Sequence, residues 1–175
     1  MNDRVNDRRV WQTKFGGPDA PIEEQGDCMQ AALATLLGIS LSDAFDFRAA
    51  KAEQVRPTGW WYAYIDWCAA RGWRPVILTH PLPGVLGMAG VASHRLFADD
   101  GRARGHMVVI RGNEVVHDPG APFGEESYEL DHGEDGSEAA EYWYLLPLDP
   151  ARGATMLESL PGKPRIAAPA LIDQS

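Results

Sequence analysis

Three side chains in this sequence together make a set that does covalent acyl chemistry: the thiol of Cys28, the imidazole of His106 and the carboxylate of Asp118. A thiol nucleophile needs a base to take its proton, and the base works best when an acid fixes its tautomer. Cys28 directly follows Asp27, a good helix N-cap, so it is expected at the first position of a helix. There the positive end of the helix dipole favours thiolate, and the unpaired N–H groups of the first turn can hold a developing oxyanion. The other thiol, Cys68, lies inside an aromatic stretch and reads as a small core residue.

The segment from His106 to Asp118 (HMVVIRGNEVVHD) reads as two strands joined at Gly112-Asn113. With Arg111, Gly112 and Asn113 as a three-residue loop, Ile110 faces Glu114 and His106 sits directly opposite Asp118. Val108 and Val116 then share their face, and Met107, Val109, Val115 and His117 take the other. A two-residue turn would shift the pairing by one and make the contact diagonal. His117 adjoins Asp118 in the chain, but neighbouring strand residues point to opposite faces, which favours His106 as the base. His80, His94 and His132 fall in loops. A metal site from His94, His106 and His117 with Asp99 or Asp100 has the residue types but no HxxxH or CxxC spacing, so neither a metal nor another cofactor is expected.

Positioning these groups requires elements, and the sequence supplies helices first and strands afterwards. Val10–Phe15 reads as a short strand ended by Gly16-Gly17-Pro18, and 18–26 as a loop. Asp27 with Gln30 has capping-box spacing, the run from Ala31 to Leu37 is apolar almost all round, and Gly38 stops it, so a central buried helix is expected. A second helical stretch is expected from Ser42 to about Glu53, and a third from Trp60 to Ala70 with Gly72 as its stop. Four of the six tryptophans lie between Trp60 and Trp73, so the third helix should pack as core or wall a groove. Strands are expected at Pro75–Thr79, Val85–Ala92, Met107–Arg111, Glu114–His117 and Glu141–Leu146. The acidic segment 131–140 reads as a solvated loop, and 151–175, rich in proline, as a tail beyond a single domain over 1–150. This order makes an α+β domain with an antiparallel sheet.

Composition narrows the partners. At 175 residues the chain has room for one ordinary domain, and 45% hydrophobic with 23% charged residues is a globular mixture. A net charge of −9 argues against nucleic acid, which normally meets a basic patch. No apolar run reaches the length of a membrane span, and the N-terminal MNDRVNDRRV lacks the apolar core of a secretory signal. Two cysteines are too few for a disulfide framework, so a cytoplasmic, reducing setting is expected.

At GDCMQAALATLLGI (26–39), GHMVVIRGNEVVHDP (105–119) and more weakly YWYLLPLDP (142–150), the sequence resembles the papain-like cysteine peptidases. The closest flavour is the bacteriocin-leader-processing branch and its uncharacterised bacterial and phage relatives. The order Cys, His, Asp matches, and so does a cysteine-bearing helix ahead of an antiparallel sheet. The motifs cover about a quarter of the chain. Two positions depart from the family: Met29 stands where a glycine usually follows the cysteine, and Ile22 where the oxyanion-hole glutamine usually lies. The resemblance leaves two glutamines for that role. Gln25 is three residues upstream of Cys28. Gln12 is sixteen upstream, can be returned by the Gly16–Gly26 loop, and sits in a Gln-Thr pair like those of the phage-type relatives.

The resemblance implies a thiol hydrolase cleaving an amide, as a peptide or isopeptide bond, through Cys28, His106 and Asp118 and a covalent acyl-enzyme. Deamidation or acyl transfer would use the same three residues. Substrate would be a peptide or protein, held in a groove to which Met29, Trp60, Trp61 and a flap over 93–105 with Arg95, Arg102 and Arg104 contribute. The alternative from another class is a catalytically weak or inactive module that binds a peptide or protein partner on the same scaffold. Oligomeric state is open at this point.

Overall fold

A computed structural model describes residues 9–17, 19–53, 59–97, 103–120 and 141–149. The chain forms α1 (Cys28–Leu37), a 3-10 turn (Leu41–Asp43), α2 (Phe47–Glu53), α3 (Gly59–Ala69), then β1 (Trp73–Leu78), β2 (Leu86–Phe97), β3 (Ala103–Arg111), β4 (Glu114–His117) and β5 (Tyr142–Pro147). The strands make one antiparallel sheet in the order β1-β5-β2-β3-β4. The architecture of the described residues is therefore α+β, three helices with a five-stranded antiparallel sheet. Among the described residues no single helix is long and apolar enough to cross a membrane. The expected acidic loop at 131–140 and the tail from 151 lie outside the described residues.

Helix α1 is the apolar centre. Ala31, Ala32, Leu33 and Ala34 have no exposed surface, because the helix lies across β3 and β2 while continuing the core on its other sides. Gly38, at φ 65°, ends it in the left-handed conformation that a side chain would resist, and Ile39 N–H closes onto the Ala34 carbonyl. The helix start differs from the expectation. Asp27 makes no side-chain cap, and Gln30 does not close a capping box. Gln30 instead donates to the carbonyls of Leu41 and Ala44, at 2.9 and 3.2 Å, tying α1 to the turn that follows.

The expected helix over 42–53 is broken. Ser40 caps the 3-10 turn, Phe45 is drawn into the core, and Asp46 accepts the N–H groups of Arg48 and Ala49 to start α2 afresh. Helix α3 leans on α2 and β1, on the same face of the sheet as α1 but toward its β1 edge. Its rings join Phe45, Phe47 and Trp143 in one aromatic cluster, with Trp60 and Trp61 at 6.1 and 5.4 Å from Trp143. The sheet thus has a helix-facing core of Met88, Met107, Val109 and Trp143 and an opposite apolar face of Ala89, Val108, Ile110, Tyr142 and Tyr144.

Three further expectations are corrected. Val10–Phe15 is not a strand: the Val10 N–H donates to Thr35 Oγ1 and the Gln12 N–H to the Pro119 carbonyl, so these groups are satisfied outside any ladder. The segment expected as a flap is largely strand, since β2 runs to Phe97 and β3 begins at Ala103, and only 98–102 lie outside the described residues. Finally, β3 and β4 join through a two-residue turn, with Arg111 facing Glu114 and Ile110 facing Val115. Gly112 has a φ of 60° and Asn113 a negative one, as a type II′ turn requires, so no third loop residue is needed.

Candidate active site

The two-residue turn alone would have set His106 and Asp118 out of phase, but β4 carries an extra residue. Pairing moves from Ile110–Val115 to Val109–His117, a bulge at Val116 that restores the phase. It also sends Val116 to the core with Met107 and Val109 and leaves Val115 with Val108 and Ile110, the reverse of the expected faces. Continued from Val109–His117, the register sets Gly120 opposite His106, with Asp118 one diagonal step away. Asp118 folds into that gap as an Asx turn: its Oδ1 accepts the Gly120 N–H at 2.7 Å and the His106 Nε2 at 2.6 Å. Imidazole and carboxylate are each 6% exposed.

With Nε2 committed to Asp118, the ring nitrogen left to face sulfur is Nδ1, and Cys28 at the start of α1 stands near enough to act on the ring's proton affinity. Burial opposes a charged ring, but hydrogen bonds to Asp118 and then Cys28, with the charges of both, outweigh it and raise His106 to about 9. Cys28 is half-buried. Cys68 is fully buried, and burial pushes its thiol up to about 11, which makes it a poor nucleophile at neutral pH. His117 takes the other direction. Its Nε2 bonds the Val10 carbonyl at 2.9 Å, its ring meets Trp11 edge-on, and burial lowers its pKa, so it anchors the N-terminal arm.

That arm delivers Gln12. The loop from Gly16 to Gly26 is closed by Gly16 N–H to the Glu24 carbonyl and Gly26 N–H to the Gly16 carbonyl, which turns the chain back beside α1. Gln12 is 6% exposed, its Nε2 donates to the Lys14 carbonyl, and its Oε1 is buried without a partner. A Cβ added at Gly120 would lie 3.2 Å from Asp118 Oδ1, 3.3 Å from His106 Cε1 and 3.4 Å from Gln12 Oε1. Three site groups therefore converge on Gly120, the glutamine presenting its oxygen there. Gln25, by contrast, spends its side-chain amide on the Ala20 carbonyl. Gly120→Ala is expected to fold and yet to slow alkylation of Cys28 by roughly 10-fold, because a few tenths of an ångström at the imidazole degrade alignment; timed mass spectrometry of the alkylated protein measures it.

The proposed groove residues divide. Met29 follows Cys28 and packs half-buried against the helix-facing core. Trp60 and Trp61 belong to the aromatic cluster at the β1 side and have their ring contacts with Phe47, Tyr64 and Trp143. Arg102, Asp99 and Asp100 lie outside the described residues. Among the described residues no group of three His, Cys, Asp or Glu side chains is disposed to hold a metal ion. Sequence reasoning missed Gly120 and the work of Asp27, although Asp118-Pro119-Gly120 carries the turn signal that marks the first. Set against known proteins, the chain matches no family model, no curated protein and no solved structure.

Proposed function

We propose that this chain is a thiol hydrolase of papain-like architecture, cleaving an amide bond of a peptide or isopeptide through Cys28, His106 and Asp118. The observation that carries the reading is the buried imidazole of His106, bonded to the buried Asp118 carboxylate at 2.6 Å and raised in proton affinity by the half-buried Cys28 at a helix start. Such a ring, held up to about 9, takes and keeps the Cys28 proton as the thiolate forms. The thiolate attacks the carbonyl carbon, forming the C–S bond and moving the π electrons onto oxygen. The oxyanion is met by the Cys28 N–H and by the Gln12 Nε2 hydrogen not given to Lys14. Imidazolium then protonates the leaving amine as the C–N bond breaks. Water, deprotonated by the now neutral ring, releases the acid and restores the thiol.

Limiting iodoacetamide at pH 7, read by intact mass and peptide mapping, tests the pair. Cys28 should label about 100-fold faster than Cys68, and His106→Ala should remove most of that advantage. Equal, slow labelling of both thiols would leave a scaffold suited to binding a peptide or protein partner without turnover.

A further inference from the structure

Asp27 is a carboxylate 2% exposed, and the ion pairs of the described residues do not include it. Burying an unpaired carboxylate is costly, so its acceptors must be filled by something worth holding. They are filled from one place. Oδ1 accepts the N–H groups of Thr13 and Lys14 at 2.9 and 3.1 Å, and Oδ2 accepts the Thr13 hydroxyl at 2.7 Å. The Lys14 carbonyl in turn accepts the Gln12 side-chain amide at 3.1 Å and the Asp27 N–H at 3.4 Å. The Asp27 side chain gives nothing to its own helix, where a cap would be the ordinary use of this position.

We infer that Asp27 is a positioning residue, which locks the Gln12 arm to the Cys28 end of α1 so that both oxyanion donors stand on one rigid unit. The inference rests on the thiol-hydrolase reading above. The covalent link from Asp27 to Cys28 fixes one donor, and the Thr13–Lys14 clamp fixes the other. Without the clamp the arm keeps its hold at Val10 and at the Gln12 N–H, so Cys28 and His106 stay paired while the glutamine amide loses its bearing.

Two probes of the full chain separate these effects. Iodoacetamide alkylates thiolate by displacement and builds no oxyanion. A peptide aldehyde adds the Cys28 sulfur to its carbonyl, forming a C–S bond, and the new oxyanion takes a proton from His106 to give a hemithioacetal. Asp27→Ala should weaken aldehyde binding by roughly 10-fold, like Gln12→Ala, while alkylation slows by no more than about 3-fold. Asp27→Asn, which retains an acceptor for the two N–H groups, should recover most of the aldehyde affinity. Thr13→Val removes one bond only and gives a smaller loss in the same direction should Asp27→Ala fail to fold. Unchanged aldehyde binding in Asp27→Ala, or in Thr13→Val should Asp27→Ala fail to fold, overturns the inference, as does an Asp27→Asn variant that binds no better than Asp27→Ala or an equal fall of both probes. Wild-type alkylation that does not depend on His106 overturns the hydrolase reading itself, and this inference with it.

Discussion

Cys28→Ala is expected to abolish amide cleavage, by at least about 10³-fold, whereas Cys68→Ala should leave the rate within about 3-fold of wild type. Both are free thiols in one small chain, and their surroundings make the difference. Cys68 sits in α3 with no exposed surface, its proton held on by burial up to about 11, so removing it empties a small core space. That loss should appear as about 1 kcal/mol or more in urea denaturation and not in turnover. Cys28 is half-buried, acts on the proton affinity of His106, and stands where the first-turn N–H groups receive no cap from the Asp27 side chain. A pool of peptides incubated with each variant and read by mass spectrometry makes the measurement. Cleavage that survives Cys28→Ala would exclude this thiol as the nucleophile.

The second large effect is in pH. Turnover should fall as pH rises through about 9, because the leaving amine needs a proton from the His106 imidazolium. Alkylation by iodoacetamide needs only thiolate and should not fall there. The fold raises His106 from 6.5 to about 9, so the native state binds this proton more tightly than the unfolded chain. The resulting stabilisation is complete below about 6.5 and is lost as pH climbs through about 9, which a series of urea midpoints will read. Asp118→Asn keeps a hydrogen-bonding partner but removes the charge, so the alkaline limb should move down by about one pH unit or more. A limb that stays in place in Asp118→Asn would mean that the carboxylate does not set the ring's proton affinity.

Much of this was legible from residues near one another in the chain. The limits of α1 followed from a capping type at 27, strong helix formers and a stop at Gly38, and α3 from its aromatic run and Gly72. Strand β4 falls at Glu114–His117 as its alternation and turn signal indicate. The choice of His106 over His117 as partner of Asp118 also followed from strand alternation, and the structure joins that pair. Yet the route assumed a three-residue loop, and the molecule uses a two-residue turn with a bulge at Val116. Both arrangements restore the same phase, and no local propensity distinguishes them.

Other assignments needed the folded chain. Asp27 and Gln30 have capping-box spacing, but a side chain bonds whatever donor or acceptor packing brings nearest. Packing brought the Gln12 arm to Asp27 and the Leu41–Ala44 turn to Gln30. Gln12 and Gln25 are equal as glutamines in sequence. A closed loop of eleven residues, 16–26, gives one to the Ala20 carbonyl and carries the other to His106 and Asp118. Sequence by itself determined most of the elements, α1, α3 and β4 among them, and the chemical types, because propensity, capping and alternation act over a few residues. The tertiary structure alone decided which buried polar atoms meet, because each must find its partner across the chain once water is gone.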